Sequence, residues 1–295
     1  MSGKLIRAIT TELSVRAFAI EGKDIVEFAR KTHGLSVLST VALGRALLGT
    51  SMMGCLLKTP TDSISLQIRG DGPLGNIVTV SDYLGNVRGY VDNPEVELKP
   101  TIDGRIDVSG GVGVGELVVV RDQNLKEPYI GRIPLETGEI AEDITTYFAK
   151  SEQVPTVCAL GVLLDEDLSV KEAGGFIIQL LPFTEDKIID LIENNINALP
   201  PITQLLSDGY TPQMLLERAL EGLEIEVLQE DDVNFVCQCS RERMSKALIS
   251  LGREELSDLI EEQGNAELVC HFCNKHYEYD KEQLIELLTA ASKKD

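Results

Sequence analysis

Basic residues are scarce in this 295-residue chain: 27 lysines and arginines stand against 48 aspartates and glutamates, for a formal net charge of −21. A surface that acidic repels phosphate backbones, so nucleic acid is not an expected partner. Histidine is scarcer still, at three residues, and tryptophan is absent. His33 stands alone, with no evident nucleophile or acid partner, and no catalytic constellation emerges from the first 180 or so residues. The chain is therefore not expected to be an enzyme. Its start, Met1-Ser2-Gly3-Lys4-Leu5-Ile6-Arg7, lacks the apolar stretch and cleavage-like site of a secretory signal. One run, Leu35 to Leu57, looks long enough to span a bilayer, yet it carries Arg45 and is rich in Ser, Thr and Gly. A mid-span charge costs roughly 2.5–3.5 kcal/mol, so a helix buried inside a folded domain is expected instead, with no membrane association.

At 43% hydrophobic content the chain is long enough for one large core and a smaller module. The pattern predicts an α+β fold. Alternating segments predict strands at Leu13–Ile20, Ser63–Arg69, Asn76–Ser81, Val87–Val91, Glu116–Arg121 and Phe176–Leu181. Helices are expected at Asp24–Thr32, Leu35–Leu57 and Ile140–Lys150. Gly-, Asp- and Pro-rich turns between the strands favour antiparallel hairpins, so residues 1–183 read as a mixed α/β domain with largely antiparallel sheets. Gly70-Asp71-Gly72-Pro73-Leu74-Gly75 matches a G-x-G-x-x-G pattern. A strand-like segment follows it where a phosphate site needs a helix N-terminus, so a hairpin turn is expected.

Composition changes at Thr184. Residues 184–231 read as an acidic helical linker: Thr184 is placed to cap a helix, Pro200-Pro201 breaks it, and seven acids lie between Glu217 and Asp232 against one base, Arg218. A helix around Glu217–Leu228 is expected to dock only marginally, because its charge density is high. Residues 232–295 read as a small C-terminal module with a strand at Val233–Val236 and helices at Ser240–Leu251, Arg253–Glu262 and Lys281–Ala291.

Four of the six cysteines fall in that module, as Cys237-Gln238-Cys239 and Cys270-His271-Phe272-Cys273. Cys55 and Cys158 lie in apolar runs and read as inert core residues. Four thiols in two clamps form the ligand set of a tetrahedral zinc site, with one Zn2+ expected on Cys237, Cys239, Cys270 and Cys273. About sixty residues make a small core, so metal should supply much of the module's folding energy. Four thiolates leave no open position for water, which argues against hydrolytic zinc chemistry. Arg241, Arg243, Lys246 and Lys275 are near enough in sequence to offset the thiolate charge, and His271 and His276 are possible substitute ligands. Several readings remain open: a structural zinc knuckle, a pair of structural disulfides, a thioredoxin-like oxidoreductase, or a redox switch. Clustered reduced cysteines fit a cytoplasmic protein, which disfavours structural disulfides. The Cys-x-Cys spacing favours the switch, because a disulfide across one intervening residue is strained and easily reduced again.

The run Phe235-Val236-Cys237-Gln238-Cys239-Ser240-Arg241-Glu242-Arg243, then Cys270-His271-Phe272-Cys273 and Tyr277-Glu278-Tyr279-Asp280, resembles the heat-shock protein 33 family of redox-regulated chaperones. The likeness extends to Gly70–Gly75, to Gly138–Asp143 and Ser151–Thr156, and to Ala173–Phe176 with Gln179–Pro182. This resemblance implies a cytoplasmic holdase that binds unfolded or aggregation-prone clients without ATP and is inactive while reduced and zinc-bound. It implies that oxidation pairs Cys237 with Cys239 and Cys270 with Cys273, releases zinc, unfolds the C-terminal module and destabilises the linker. The active form is expected to be a homodimer. The alternative is a binding protein whose zinc knuckle docks a partner constitutively, with no redox switching.

Overall fold

The computed structural model describes residues 2–101 and 106–291, and it divides into two compact units, Met1–Val236 and Cys237–Asp295. Met1, residues 102–105 and residues 292–295, which the expected domains include, lie outside the described residues.

The first unit runs β1 (Gly3–Thr10), β2 (Val15–Glu21), α1 (Lys23–His33), α2 (Val37–Gly54), β3 (Ser63–Gly70), β4 (Asn76–Asp82) and β5 (Val87–Val91). It continues with α3 (Val108–Val112), β6 (Gly115–Asp122), β7 (Tyr129–Pro134), α4 (Ala141–Tyr147) and a π-helical turn over Phe148–Glu152. Then come β8 (Thr156–Leu164), β9 (Val170–Leu180), α5 (Asp186–Asn197), α6 (Ile202–Ser207), α7 (Pro212–Ala219) and β10 (Ile225–Val233). Two five-stranded sheets result, in the orders β10-β1-β2-β9-β8 and β5-β4-β3-β6-β7, with every neighbouring pair antiparallel. The α+β expectation holds.

The larger core contains α2 and one face of each sheet. Helix α2 is the one helix among the described residues that is long and apolar enough to cross a membrane, and 16 of its 18 residues are buried in this unit. Its apolar residues point all round because strands of both sheets pack against it. Its one charge, Arg45, is neutralised by Glu139 at 2.5 Å. Ser36 caps the helix by accepting the Ser39 N–H.

The first sheet is covered on both faces. Leu5, Phe18 and Ile20 point into the α2 core, whereas Ile6, Ala8, Ala17 and Ala19 meet α5, α6 and α7 in a second core. The G-x-G-x-x-G run is indeed the turn between β3 and β4, with Gly75 at φ 67° where a side chain would be strained. The glycines at 110–115 include a short helix, α3, and a tight approach: a Cβ on Gly113 would meet the Gly72 nitrogen at 2.5 Å.

Two expectations for the acidic segment need correction. The helix expected around Glu217–Leu228 ends at Ala219, and the chain re-enters the first sheet as β10. Gly222, at φ 93°, turns it. Ile225 and Val227 then alternate as a strand does and pack against the second core, which overrides the helical spacing further upstream. Thr184, expected as a helix cap, instead donates its hydroxyl to the Ser14 and Leu181 carbonyls, 2.7 Å to each. After β10 the chain crosses to the second sheet, where Val87 and Phe235 form a parallel bridge, Val236 N–H meets the Val87 carbonyl at 2.9 Å, and Phe235 stacks on Phe28.

The second unit runs α8 (Arg241–Ser250), α9 (Arg253–Glu262), β11 (Asn265–Val269), β12 (His276–Asp280) and α10 (Lys281–Ala291), with β11 and β12 paired antiparallel. Its apolar cluster has seven buried residues among those described, one of them Cys270.

Candidate metal centre

The sulfurs of Cys237, Cys239, Cys270 and Cys273 lie within 4.8 Å of one another. Cys237 and Cys270 approach to 3.6 Å, and Cys239 and Cys273 to 3.4 Å. A tetrahedral zinc–thiolate site with bonds of about 2.3 Å separates its sulfurs by about 3.8 Å. The donor set is soft, fourfold and convergent, so these residues fit zinc.

Each clamp is shaped by its own local structure. Cys270 and Cys273 sit in the turn joining β11 to β12, where Cys273 and Asn274 N–H groups both donate to the Cys270 carbonyl, at 3.3 and 2.8 Å. Cys270 N–H closes the turn on the Lys275 carbonyl at 3.0 Å. The turn requires a positive φ at Asn274, 53°, which asparagine tolerates better than most residues. On the other side, Cys239 precedes Ser240, whose side chain caps α8 by accepting the Arg243 N–H. The positive end of that helix favours a thiolate at its mouth.

Protonation is uneven across Cys237, Cys239 and Cys273. Burial pushes the Cys237 thiol up, and hydrogen bonds shared with the other thiols add to this. Burial also raises Cys239, but hydrogen bonds from Tyr277 and the neighbouring thiols outweigh it and bring this thiol down to about 7. Cys273 is raised, mainly by burial. Of these three, Cys239 is the one most ready to be a thiolate at neutral pH in the absence of metal.

Sequence reasoning brought the four cysteines together correctly and missed the aromatic side chains around them. The Tyr277 hydroxyl donates to Cys239 Sγ at 3.1 Å. Two positions on, Tyr279 donates to the Arg241 carbonyl at 3.0 Å and meets the Ser245 hydroxyl at 3.1 Å. The period-two spacing of Tyr277 and Tyr279 after the second clamp was the available signal, since it puts both on the inner face of β12.

Three of the cations expected to offset the thiolate charge have identified partners of their own. Arg241 lies 4.4 Å over the Tyr279 ring and donates to the Glu278 carbonyl and to Gln283. Lys246 pairs with Glu242, and Lys275 sits over the Tyr277 ring. His276 is exposed and bonds Glu267, and His271 is exposed, so the structure groups neither with the sulfurs. Cys55 and Cys158 are buried in the core of the first unit, and burial raises both thiols, Cys55 to about 12.

Residues 3–280 match the family described as Hsp33 protein. The 33 kDa chaperonin of Acetivibrio thermocellus is 46% identical over 288 residues, covering 98% of this chain and 97% of that protein. The 33 kDa chaperonin of Enterococcus faecalis is 44% identical, covering 97% and 96%. The crystal structure of the 33 kDa chaperonin (heat shock protein 33 homolog) of Thermotoga maritima shares 39% identity and a TM-score of 0.91, covering 99% of this chain and all of that one.

Proposed function

Because the chain belongs to the Hsp33 family of chaperones, we propose that it is a holdase switched on by oxidation of its four clustered cysteines. In this reading the reduced protein holds one zinc ion on Cys237, Cys239, Cys270 and Cys273 and does not bind clients. When bound, the metal would keep all four sulfurs deprotonated and supply folding energy on the order of 10 kcal/mol or more. The observation that carries the reading is a fourfold sulfur cluster inside a unit whose apolar core has only seven buried residues among those described.

The chemistry of the switch belongs to the chain's own thiolates. Two thiolates give up two electrons to form one disulfide, and a peroxide accepts those electrons and two protons to leave as two waters. Two such steps, pairing Cys237 with Cys239 and Cys270 with Cys273, consume every ligand of the site. The pairing rests on the family. The sulfur distances favour no partner, since the two shortest approaches run across the clamps.

Without its metal ligands the second unit loses most of its support and unfolds. Cys237 is bonded directly to Val236, the last residue of the first unit, and only Asn234, Phe235 and Val236, held by Val87, separate it from the end of β10 at Val233. Strand β10 carries four acids and one fully buried side chain, Val233, whose burial is worth about 1.5–3 kcal/mol. The segment from Thr184 through β10 is the part that responds, and it uncovers apolar surface to which unfolding proteins bind without ATP. The protein works in the cytoplasm and its active form is a homodimer. It engages neither nucleic acid, which the net charge of −21 repels, nor membranes, and it turns over no substrate. A constitutive zinc-knuckle binding protein is the competing reading. The two separate in one assay: reduced, zinc-loaded protein and peroxide-treated protein are compared for suppression of client aggregation. Switching predicts suppression only after oxidation, and equal activity in both states overturns it.

A further inference from the structure

Strand β10 is the outer strand of the first sheet, so it covers the edge of β1. Its register runs from Gly3 opposite Val233 to Thr10 opposite Ile225, with a bulge that leaves Leu228 without an opposite residue between Arg7 and Ala8. The cover is thin: of nine residues only Val233 is buried and five are exposed, whereas β2 on the other side of β1 buries five of seven. What holds β10 besides the ladder is charge. Lys4 pairs with Glu230 at 3.4 Å and with Asp232 at 3.0 Å, and Arg7 pairs with Asp231 at 3.4 Å. At the other end of the strand, Ile225 and Val227 lie on the apolar slot that includes Ile6 and Ala8.

We propose that the edge of β1, once β10 has left it, binds one extended segment of a client polypeptide, added antiparallel in the place of β10, and prefers segments that carry β-branched residues followed by a cluster of acids. The inference rests on the oxidation-driven release described above and names the partner of that step. Removing β10 leaves a row of unpaired N–H and C=O groups along Gly3–Thr10, which is a template for any extended chain. It also strips Lys4 and Arg7 of their acidic partners and takes Ile225 and Val227 off the apolar slot that includes Ile6 and Ala8. A basic or all-apolar segment satisfies the ladder but not the two cations. An acidic, β-branched segment satisfies both. In the resting protein β10 acts as a tethered internal ligand at high effective concentration, which keeps clients off the edge.

The test uses full-length protein and a fluorescent synthetic peptide with the sequence of Ile225–Val233, beside a control peptide in which lysines replace the acids matching Glu230, Asp231 and Asp232. Binding is followed by anisotropy, and the amides of Gly3–Thr10 are followed by hydrogen exchange. Peroxide-treated protein should bind the acidic peptide about tenfold or more tighter than either the lysine peptide or reduced protein does. The β1 amides should lose protection on oxidation and regain it with the peptide, and excess peptide should compete with client holding. If the oxidised protein holds clients while its β1 amides stay protected, or binds the peptide without protecting β1, the inference is overturned. The double variant Glu230→Lys/Asp232→Lys changes only exposed residues and sets β10 against Lys4, so it should open the edge without oxidation. Peptide capture at β1 by the reduced variant, alongside an oxidised wild type that holds no client, would uphold the edge and refute the oxidation switch. No capture by either protein would refute the edge itself.

Discussion

The two units solve the problem of stability by different means. Among the described residues, Met1–Val236 encloses one core with 40 buried hydrophobic residues and a second with 16, whereas Cys237–Asp295 has seven. In the first unit, helix α2 is surrounded by strands of both sheets, and loss of any single side chain leaves most of the burial intact. In the second, the sulfur cluster is itself part of the core, since Cys270 is 5% exposed and Cys237, Cys239 and Cys273 pack against it. A chemical change at the sulfurs is therefore a change in the core. The thiols of Cys55 and Cys158, set in the large core, are raised by burial and stay protonated, whereas the four clustered sulfurs belong to the small one.

The sharpest way to separate the units is to remove a ligand. Cys270→Ser should abolish zinc binding and unfold the second unit, a loss on the order of 10 kcal/mol, while the first unit stays folded. Limited proteolysis with zinc analysis checks this, and a second unit that stays protease-resistant without zinc would erase the proposed contrast. A matched pair of core truncations comes next. Leu256→Ala and Leu47→Ala each delete a fully buried side chain and each should cost about 2–5 kcal/mol. By hydrogen exchange, Leu256→Ala should open the whole second unit, whereas Leu47→Ala should lower the melting temperature of the first without opening it at room temperature.

Much of this contrast was legible in the sequence, for identifiable reasons. Two-residue and one-residue clamps allow few geometries, so the cysteine pairs announced their convergence. Helix α2 was legible because apolar residues recur around its whole circumference, although its ends were drawn two or three residues too wide. Strand β10 was not legible. Its four acids hid an alternation carried by Ile225, Val227 and Val233, and its partner β1 lies more than two hundred residues away in the chain. The register that pairs Asp231 and Asp232 with Arg7 and Lys4 is a long-range fact that no local window contains. Strand β1 stands at the start of the chain, where Met1–Arg7 poses the question of a leader before that of a strand. The partner of Arg241 was hidden for a similar reason: it is the Tyr279 ring, 38 residues away in the chain.

Smaller effects sharpen the comparison. Tyr277→Phe removes the hydroxyl that donates to Cys239 Sγ and should weaken zinc affinity about tenfold, measured by competition with a chromogenic chelator, with the first unit unchanged. An effect confined to the first unit is expected at Glu27. Its hydrogen bond from Arg30, strengthened by the Val170 N–H and Lys31, holds its carboxyl at about 2 against an ordinary 4.5. A depressed carboxyl contributes stability that is present above pH 4.5 and is lost as pH falls towards 2. Glu27→Gln should therefore destabilise the first unit at pH 7, and the gap from wild type should close as pH falls from about 4.5 to about 2. Thermal melts of the first unit across that range check the sign, and a gap that widens in acid would contradict it.

The central claim is that the same four sulfurs hold the second unit together and turn the chaperone on. A peroxide titration of the full-length protein, reading released zinc, free thiols and client aggregation in one sample, tests it directly. The account predicts that one zinc and four of the six thiols disappear together, and that suppression of aggregation rises in step with them. Full suppression by protein that still retains its zinc and all its thiols would contradict it.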